Sequence, residues 1–394
     1  MIGKKKLCIV TTLSSSINNW IKPFLNEYHK RDIDVTIICN MDKNFEDNIK
    51  REYPFIHTFP IAFPRGMKLF GTIKSIYILA QYLRSEKFDM LQYSTPNASF
   101  YSAIASRLAG IKVRLYCQWG MVYVTKKGIG RFVCKCIEQI TCKCSTQIQP
   151  DSEGNLNFCR ANKLYDEKKS CIIWNGSAKG IDLSVYDISK KNEFAVEIKS
   201  RYGIIGGPIL GFVGRLGREK GCNELFAAFR ELKKEIPTLS LLFVGPIEKE
   251  DTIDIELFDY FKKCDSIIKT GRVSDVSKYM AAMDIFILPS YREGFGMSVV
   301  EASAMGIPVI ATKYPGPSSA MRDGYTGIEI EVASTNAIIR SVYSLLKDPD
   351  LSKRMGQNGR RFAEENFEQK KFTSNPQLSS SASFLRLNVL SSLN

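Results

Sequence analysis

The sequence predicts an α/β chain made of two doubly wound, Rossmann-like halves. Three observations carry this expectation. The chain has 394 residues, room for two domains of roughly 100–200 residues each. Hydrophobic residues make up 44% and charged residues 24%, the balance of a globular protein rather than a disordered one. Apolar runs of strand length alternate with helical stretches in both halves, which is the pattern of a parallel sheet with helical crossovers.

The elements follow in order. In the first half the strand candidates are 6–12, 34–40, 89–95 and 113–119, then 146–152 and a short run at 170–176. Helical segments fall at 17–31, 70–86 and 98–109, and Gly110 closes the last of them. A new unit starts after Gly206, Gly207 and Pro208, with a strand at 208–215, a helix near 221–235 and a strand at 239–246. Next come a strand at 266–271, a helix at 274–283, a strand at 285–290, a helix near 296–305 and a strand at 308–312. Gly324 and Gly327 mark a turn, and helices at 334–346 and 350–366 complete the unit. The expected organisation is an N-terminal domain over 1–180, a linker over 181–207 and a C-terminal domain over 208–366. Residues 367–394 form an atypical tail, Ser-rich from 373 onward and carrying a single charge there, Arg386.

Composition removes several function classes. No apolar run reaches the roughly 18–20 residues that a membrane-spanning helix needs. The N-terminal apolar run is short for a signal peptide and contains Thr11 and Thr12, so the expectation is a cytoplasmic protein. Eleven cysteines then suit a reducing compartment rather than a disulfide scaffold. Cys134, Cys136, Cys142 and Cys144 do not have zinc-site spacing. Phe132, Val133, Cys136, Ile137 and Ile140 read as an apolar helix face, and the cysteines as small buried residues of a basic helix. Only His29 and His57 are present, too few for a histidine-based metal site or triad.

The formal net charge is +14, and it is uneven. Residues 1–180 hold 27 Lys and Arg against 14 Asp and Glu, whereas the remainder holds 28 against 27. The first half is expected to face something anionic, either nucleic acid or a membrane surface.

Two motifs carry chemistry. Gly214-Arg215 ends a strand, and Lys220-Gly221 opens the following helix. The strand end places Arg215 at the carboxyl edge of the sheet, where open α/β folds bind ligands. Lys220 lies five residues on, within reach of the same point, and two cations there suit a diphosphate. The second motif runs from Ser290 through Glu293, Gly294, Phe295, Gly296 and Met297 to Glu301. Its glycines allow backbone N–H groups to approach a ligand, and a helix start favours negative charge. Carboxylates around such a site accept hydrogen bonds from sugar hydroxyls: Glu293 from a transferred sugar, Glu301 from a ribose diol. The neighbours of Glu301 (Val299, Val300, Ala302, Ala304 and Met305) read as buried, so its carboxylate needs a partner, and a ligand would supply one.

The segments GFVGRLGREKG, GRVSDVSKYMAAMDIFILPSYREGFGMSVVEASAMGIPVIAT and PGPSSAMRDGYTG resemble the donor-binding domain of glycosyltransferase family 4. This is a retaining family with the GT-B fold, two Rossmann-like domains facing each other across a cleft, and Glu-x7-Glu is its hallmark. The likeness is strong over 207–366 and fainter before it, mainly in WNGSAKGIDLSVYD. It points to bacterial enzymes that build capsule, O-antigen or exopolysaccharide.

The resemblance implies roles residue by residue. Arg215 and Lys220, beside Gly214, match the donor's phosphate-binding pair, Glu293 the carboxylate facing the donor sugar, and Glu301 the ribose-binding carboxylate. Phe295, Gly296 and Met297 match the loop whose backbone contacts sugar and phosphate, and Gly271, Arg272 and Val273 the segment beside the base. It implies no cofactor and no metal, with UDP-sugars as donors, GDP-mannose next. Asp32/Asp34 and Asp348/Asp350 are set aside as metal sites because they do not sit at strand C-termini.

Two departures stand out. Many relatives carry His-Gly after the fourth N-domain strand. Here the stretch is Gln118-Trp119-Gly120, which places Trp119 and Gly120 on the acceptor side together with Ser14 of the Ser14-Ser15-Ser16 loop. That loop also lacks the GxGxxG of a dinucleotide enzyme. The second departure is the tail, which does not continue as the family's bracing helix and reads as a truncated or frame-altered terminus.

The acceptor in such families is often a sugar on a polyprenyl diphosphate at the inner leaflet. Lys126, Lys127, Arg131, Lys135 and Lys143 are interleaved with Val122, Tyr123, Val124, Ile129 and Phe132, and Arg65, Lys68, Phe70 and Lys74 form a second such mixture. Both suit an anionic interface, so a peripheral position at the inner face of the cytoplasmic membrane is expected. The alternatives are a catalytically silent sugar-nucleotide-binding partner and a basic nucleic-acid-binding protein. The latter lacks any zinc, helix-turn-helix or RNP pattern, so no nucleic-acid partner is expected.

Overall fold

The computed structural model describes residues 4–64, 69–177, 179–247 and 252–374. The chain forms two compact units. The first runs up to Lys179 and takes up the chain again from Lys370; the second is Gly180–Gln369.

Among the described residues the first unit has six strands: β1 Lys5–Leu13, β2 Ile33–Asn40, β3 Ile56–Thr58, β4 Met90–Ser94, β5 Val113–Gln118 and β6 Gln147–Pro150. Their order is β3-β2-β1-β4-β5-β6, and every pairing is parallel. Helices cover both faces, so the middle of β1, Leu7 to Val10, is apolar without alternation, as a doubly buried strand should be. Cys8 and Val10 join one core, while Leu7 and Ile9 join the other. That division is the two-residue period of a strand.

The second unit repeats the plan with β7 Ile209–Val213, β8 Ser240–Val244, β9 Ile267–Lys269, β10 Ile285–Leu288, β11 Val309–Thr312 and β12 Gly327–Ile330. The order is β12-β11-β10-β7-β8-β9. Segment 181–207, expected as a linker, contains the helix Lys191–Arg201. Glu197 on that helix pairs with Lys278 at 2.8 Å. The return of the chain near Glu368 is pinned by Ile181, whose N–H donates to the Phe367 carbonyl at 2.6 Å.

Several expectations need correction. Residues 170–176 do not form a strand: they run beside β6 with one bridge, Ile148 to Ser170. The helix expected over 17–31 is broken into a turn Ser14–Ser16, a π-helical turn Ile17–Ile21 and a helix Lys22–Lys30. Pro23 sits at the start of the last piece, where its missing N–H costs no bond. The basic helix is present as Gly128–Cys144, but Phe132 and Ile140 do not lie on its buried face. They are 69% and 41% exposed, whereas Cys134, Cys142 and Cys144 pack on the core. At 100° per residue, positions 132, 136 and 140 share one face with each other and not with 134 and 142. Residues 375–394, most of the atypical tail, lie outside the described residues, as do Arg65 and Lys68.

Candidate functional site

In the second sheet β7 has β10 on one side and β8 on the other. The connection from β7 leads towards β8, and that from β10 leads towards β11, so the strand order reverses between β7 and β10. The loops leaving this point open a crevice at the carboxyl edge. Both motifs picked out in the sequence are these loops.

The first loop carries Gly214 and Arg215, then a 3-10 turn Arg218–Lys220, then Gly221 at the start of the helix Cys222–Glu235. Gly221 has φ +70, and a Cβ built there would lie 2.0 Å from the Pro289 carbonyl oxygen. Only glycine lets the loop after β7 touch the loop after β10. Across that contact Lys220 Nζ donates to Glu293 Oε1 at 2.5 Å, and Ser290 Oγ donates to the same oxygen at 2.8 Å. The two charged side chains are only 19% and 14% exposed. Ser290 is itself held at its carbonyl by Thr312 Oγ1 from the end of β11, at 2.6 Å.

Arg215 lies in the same loop but pairs with Glu219 at 3.3 Å and is 44% exposed. The Tyr291 hydroxyl donates to Glu224 at 2.6 Å, tying the second loop to the helix Cys222–Glu235. Burial, with the Glu224 hydrogen bond, pushes the Tyr291 phenol up to about 12.

The strand ends continue the crevice towards β9. Gly214 N–H donates to Val244, and Gly245 N–H to the Gly271 carbonyl at 3.0 Å. A Cβ on Gly245 would lie 2.0 Å from the Gly214 carbonyl oxygen, so three successive strand ends meet through glycine. Gly271 has φ +68; beyond it Arg272 is exposed and Val273 half-buried.

At the other end Gly296, with φ +87, precedes the helix Met297–Ala304. Phe295 turns its ring inward against Phe367, with centroids 5.2 Å apart, and Met297 is buried. Both side chains therefore anchor the loop. Glu301 is half-buried on this helix among buried neighbours. Its partner within the protein is Tyr186, whose phenol is pushed up by burial and further by the charge of Glu301 and their hydrogen bond. The carboxylate is thus supported without a ligand. Sequence reasoning missed Tyr186, which stands in the segment taken for a linker, and it left Ser290 without a role.

Trp119, Gly120 and Ser14 belong to the first unit, at the carboxyl edge of its own sheet. Ser14 opens the turn after β1, and Gly120 follows β5 with φ +92. The preceding residue, Gln118, is fully buried. Its amide donates to Glu138 and accepts from the Tyr165 hydroxyl at 2.8 Å. Burial raises the pKa of Glu138 against the two hydrogen bonds that it accepts from Gln118 and Tyr116.

Among the described residues no three His, Cys, Asp or Glu side chains are placed to hold a metal ion. The Asp triplets have structural partners: Asp348 accepts from Leu351 N–H at 2.8 Å, and Asp32 pairs with Lys4 at 2.9 Å. Among the described residues no helix is long and apolar enough to cross a membrane.

The profile of glycosyl transferases group 1 matches residues 197–362, and that of glycosyl transferase 4-like proteins matches residues 6–152. The chain belongs to the glycosyltransferases. This glycosyltransferase is 27% identical over 363 residues to the capsular polysaccharide biosynthesis glycosyltransferase CapM of Staphylococcus aureus, covering 92% of this chain and 93% of that one. It is 26% identical over 298 residues to the N,N'-diacetylbacillosaminyl-diphospho-undecaprenol alpha-1,3-N-acetylgalactosaminyltransferase of Campylobacter jejuni, covering 73% and 76%. Among solved structures, Anabaena HepE in complex with UDP and glucose matches with a TM-score of 0.76 at 16% identity, over 96% of this chain and 99% of that one. Two parallel six-stranded sheets in an α/β chain and this likeness make the fold GT-B.

Proposed function

We propose that this glycosyltransferase moves a sugar, with retention of configuration and without a metal, from a UDP-linked donor to a lipid-diphosphate-linked sugar in cell-surface polysaccharide synthesis. The observation that carries the reading is the Lys220–Glu293 pair at 2.5 Å, built at the switch point of the second sheet and shared with Ser290. A cation for phosphate and a carboxylate for sugar hydroxyls stand side by side, as a nucleotide-diphospho-sugar requires.

Arg215 and Lys220 neutralise the diphosphate as it departs. Glu293 accepts from a hydroxyl of the transferred sugar. Glu301, steadied by Tyr186, accepts from the ribose diol. The backbone of Phe295, Gly296 and Met297 lines the sugar and phosphate, and Gly271, Arg272 and Val273 border the base. Trp119, Gly120 and Ser14 serve the acceptor. In the transfer the bond from the anomeric carbon to the phosphate oxygen breaks, and a bond to the acceptor oxygen forms on the same face. The acceptor's proton passes to the leaving phosphate, so no protein base is needed. The capsular relative and the undecaprenol-linked substrate in the Campylobacter enzyme's name support the acceptor class. Melting curves against a panel of nucleotide sugars test the donor. A UDP-N-acetylhexosamine at 100 times its Kd is expected to stabilise the fold by about 2.7 kcal/mol. A shift with GDP-mannose and none with UDP-sugars would overturn the UDP assignment.

The first unit also supports a peripheral membrane position. Ile129 and Phe132 are 83% and 69% exposed on the helix Gly128–Cys144, beside the exposed Lys126, Lys127 and Arg131. On the helix Leu69–Glu86, Phe70, Ile73 and Tyr77 are 87%, 56% and 64% exposed. Their spacing puts them on one stripe. Apolar side chains flanked by cations suit the interface of an anionic bilayer. In flotation, the protein should rise with vesicles containing anionic lipid, and less so as salt increases. Equal binding to neutral vesicles would exclude this electrostatic mode.

A further inference from the structure

The chain has three tryptophans, and all of them, Trp20, Trp119 and Trp174, lie in the first unit. Trp20 sits in the π-helical turn Ile17–Ile21 after β1, and Trp119 comes immediately after β5. Their rings approach to 5.5 Å between centroids, inclined at 38°. Lys179 Nζ stands 5.6 Å from the centre of the Trp20 ring. Both indoles are only half-buried, while Ile17, Ile21 and Phe24 around Trp20 are fully packed. Burial of two such rings would be worth more to the core than this exposure allows.

The framework around them is held at a cost. π-helical turns are rare and recur at functional sites. Gln118 fixes the end of β5 through its buried amide. The strap that brings Lys179 to the rings passes through Trp174 and Ser177, with φ +52 and +75, conformations that non-glycine residues rarely adopt. Ser177 N–H donates to the Asp151 carbonyl at 2.7 Å, which fastens this strap beyond β6.

We propose that Trp20, Trp119 and Lys179 form a subsite for the acceptor, and that its ligand is a glycosyl diphosphate. The C–H face of a pyranose ring stacks on the indole pair, and the ammonium takes the diphosphate beside it. Trp20 and Lys179 then determine acceptor specificity. This rests on the glycosyltransferase reading above and names the residues that choose its acceptor.

Intrinsic tryptophan fluorescence reads the site directly. The probe is N-acetylglucosaminyl diphosphate carrying a short alkyl chain, titrated into the full chain, with its methyl glycoside as the neutral comparison. A saturable fluorescence change is expected with the diphosphate. Its affinity should fall by roughly tenfold or more in Trp20→Ala and in Lys179→Ala, and Trp20→Phe should retain part of it. Melting shifts with UDP-sugar should be the same in all three variants as in the parent. Unchanged probe affinity in Trp20→Ala overturns the platform, and equal affinity for the methyl glycoside overturns the role of Lys179. A donor shift without any probe response also rejects the subsite while leaving the transferase reading intact. A probe response without any donor shift supports the subsite and removes the donor reading instead.

Discussion

Glu293→Ala abolishes sugar transfer in the expected experiment, lowering kcat by about 10²–10³-fold or more, while the second unit stays folded. One oxygen of Glu293 receives both Lys220 and Ser290, and the proposed contact with a donor hydroxyl falls to the other. Removing the carboxylate therefore strips the proposed sugar contact and leaves the Lys220 ammonium without its acid. Breaking a fully buried pair costs about 3–5 kcal/mol. Here both side chains retain some exposure, 19% and 14%, so water recovers part of that loss. Glu293→Gln keeps an acceptor for Ser290 and separates charge from shape. Transfer of labelled sugar and a melting curve, measured on the same preparations, check the result. Full activity in Glu293→Ala would remove this residue from the site.

Lys220→Ala and Arg215→Ala come next in expected effect. Each removes one of two cations assigned to the departing diphosphate, for a loss of about 10²–10³ in kcat. Lys220 is expected to matter more, because its loss also releases Glu293 from the 2.5 Å pair. Arg215 is more exposed and must leave Glu219 to reach a donor, so its removal acts through a better-solvated contact. The double variant should lose less than the product of the two single losses, since both cations serve one group. Steady-state kinetics on the three variants decides this. Wild-type kcat/KM in Lys220→Ala would sink the phosphate assignment.

Much of this architecture is legible in the sequence, for a physical reason. Doubly buried parallel strands are continuous apolar runs, so β1, β2, β7, β8 and β10 stand out. The short edge strands β3 and β12 read Ile-His-Thr and Gly-Ile-Glu-Ile, and neither contains a continuous apolar run. The helix Gly128–Cys144 was legible, but the residues of its core-facing side were not: Phe132 and Ile140 are exposed while Cys134 and Cys142 pack on the core. At the crevice, strand-loop-helix spacing brought Arg215, Lys220 and Glu293 to the two loops after β7 and β10, and Glu301 to the helix that follows the second. Tyr186 had no such mark. It is joined to Glu301 only by folding across more than a hundred positions, and no local pattern announces that.

Gly221 has a consequence for how this protein can change. The distance between the cation-bearing turn and the carboxylate-bearing turn is set by the absence of a side chain. Even a methyl group would stand 2.0 Å from the Pro289 carbonyl, where ordinary contact is 3.4–4 Å. The gap therefore has no small adjustments: the least substitution available overshoots by more than an ångström. A lineage that explores new donors from this scaffold must leave that gauge alone and vary the side chains around the rim.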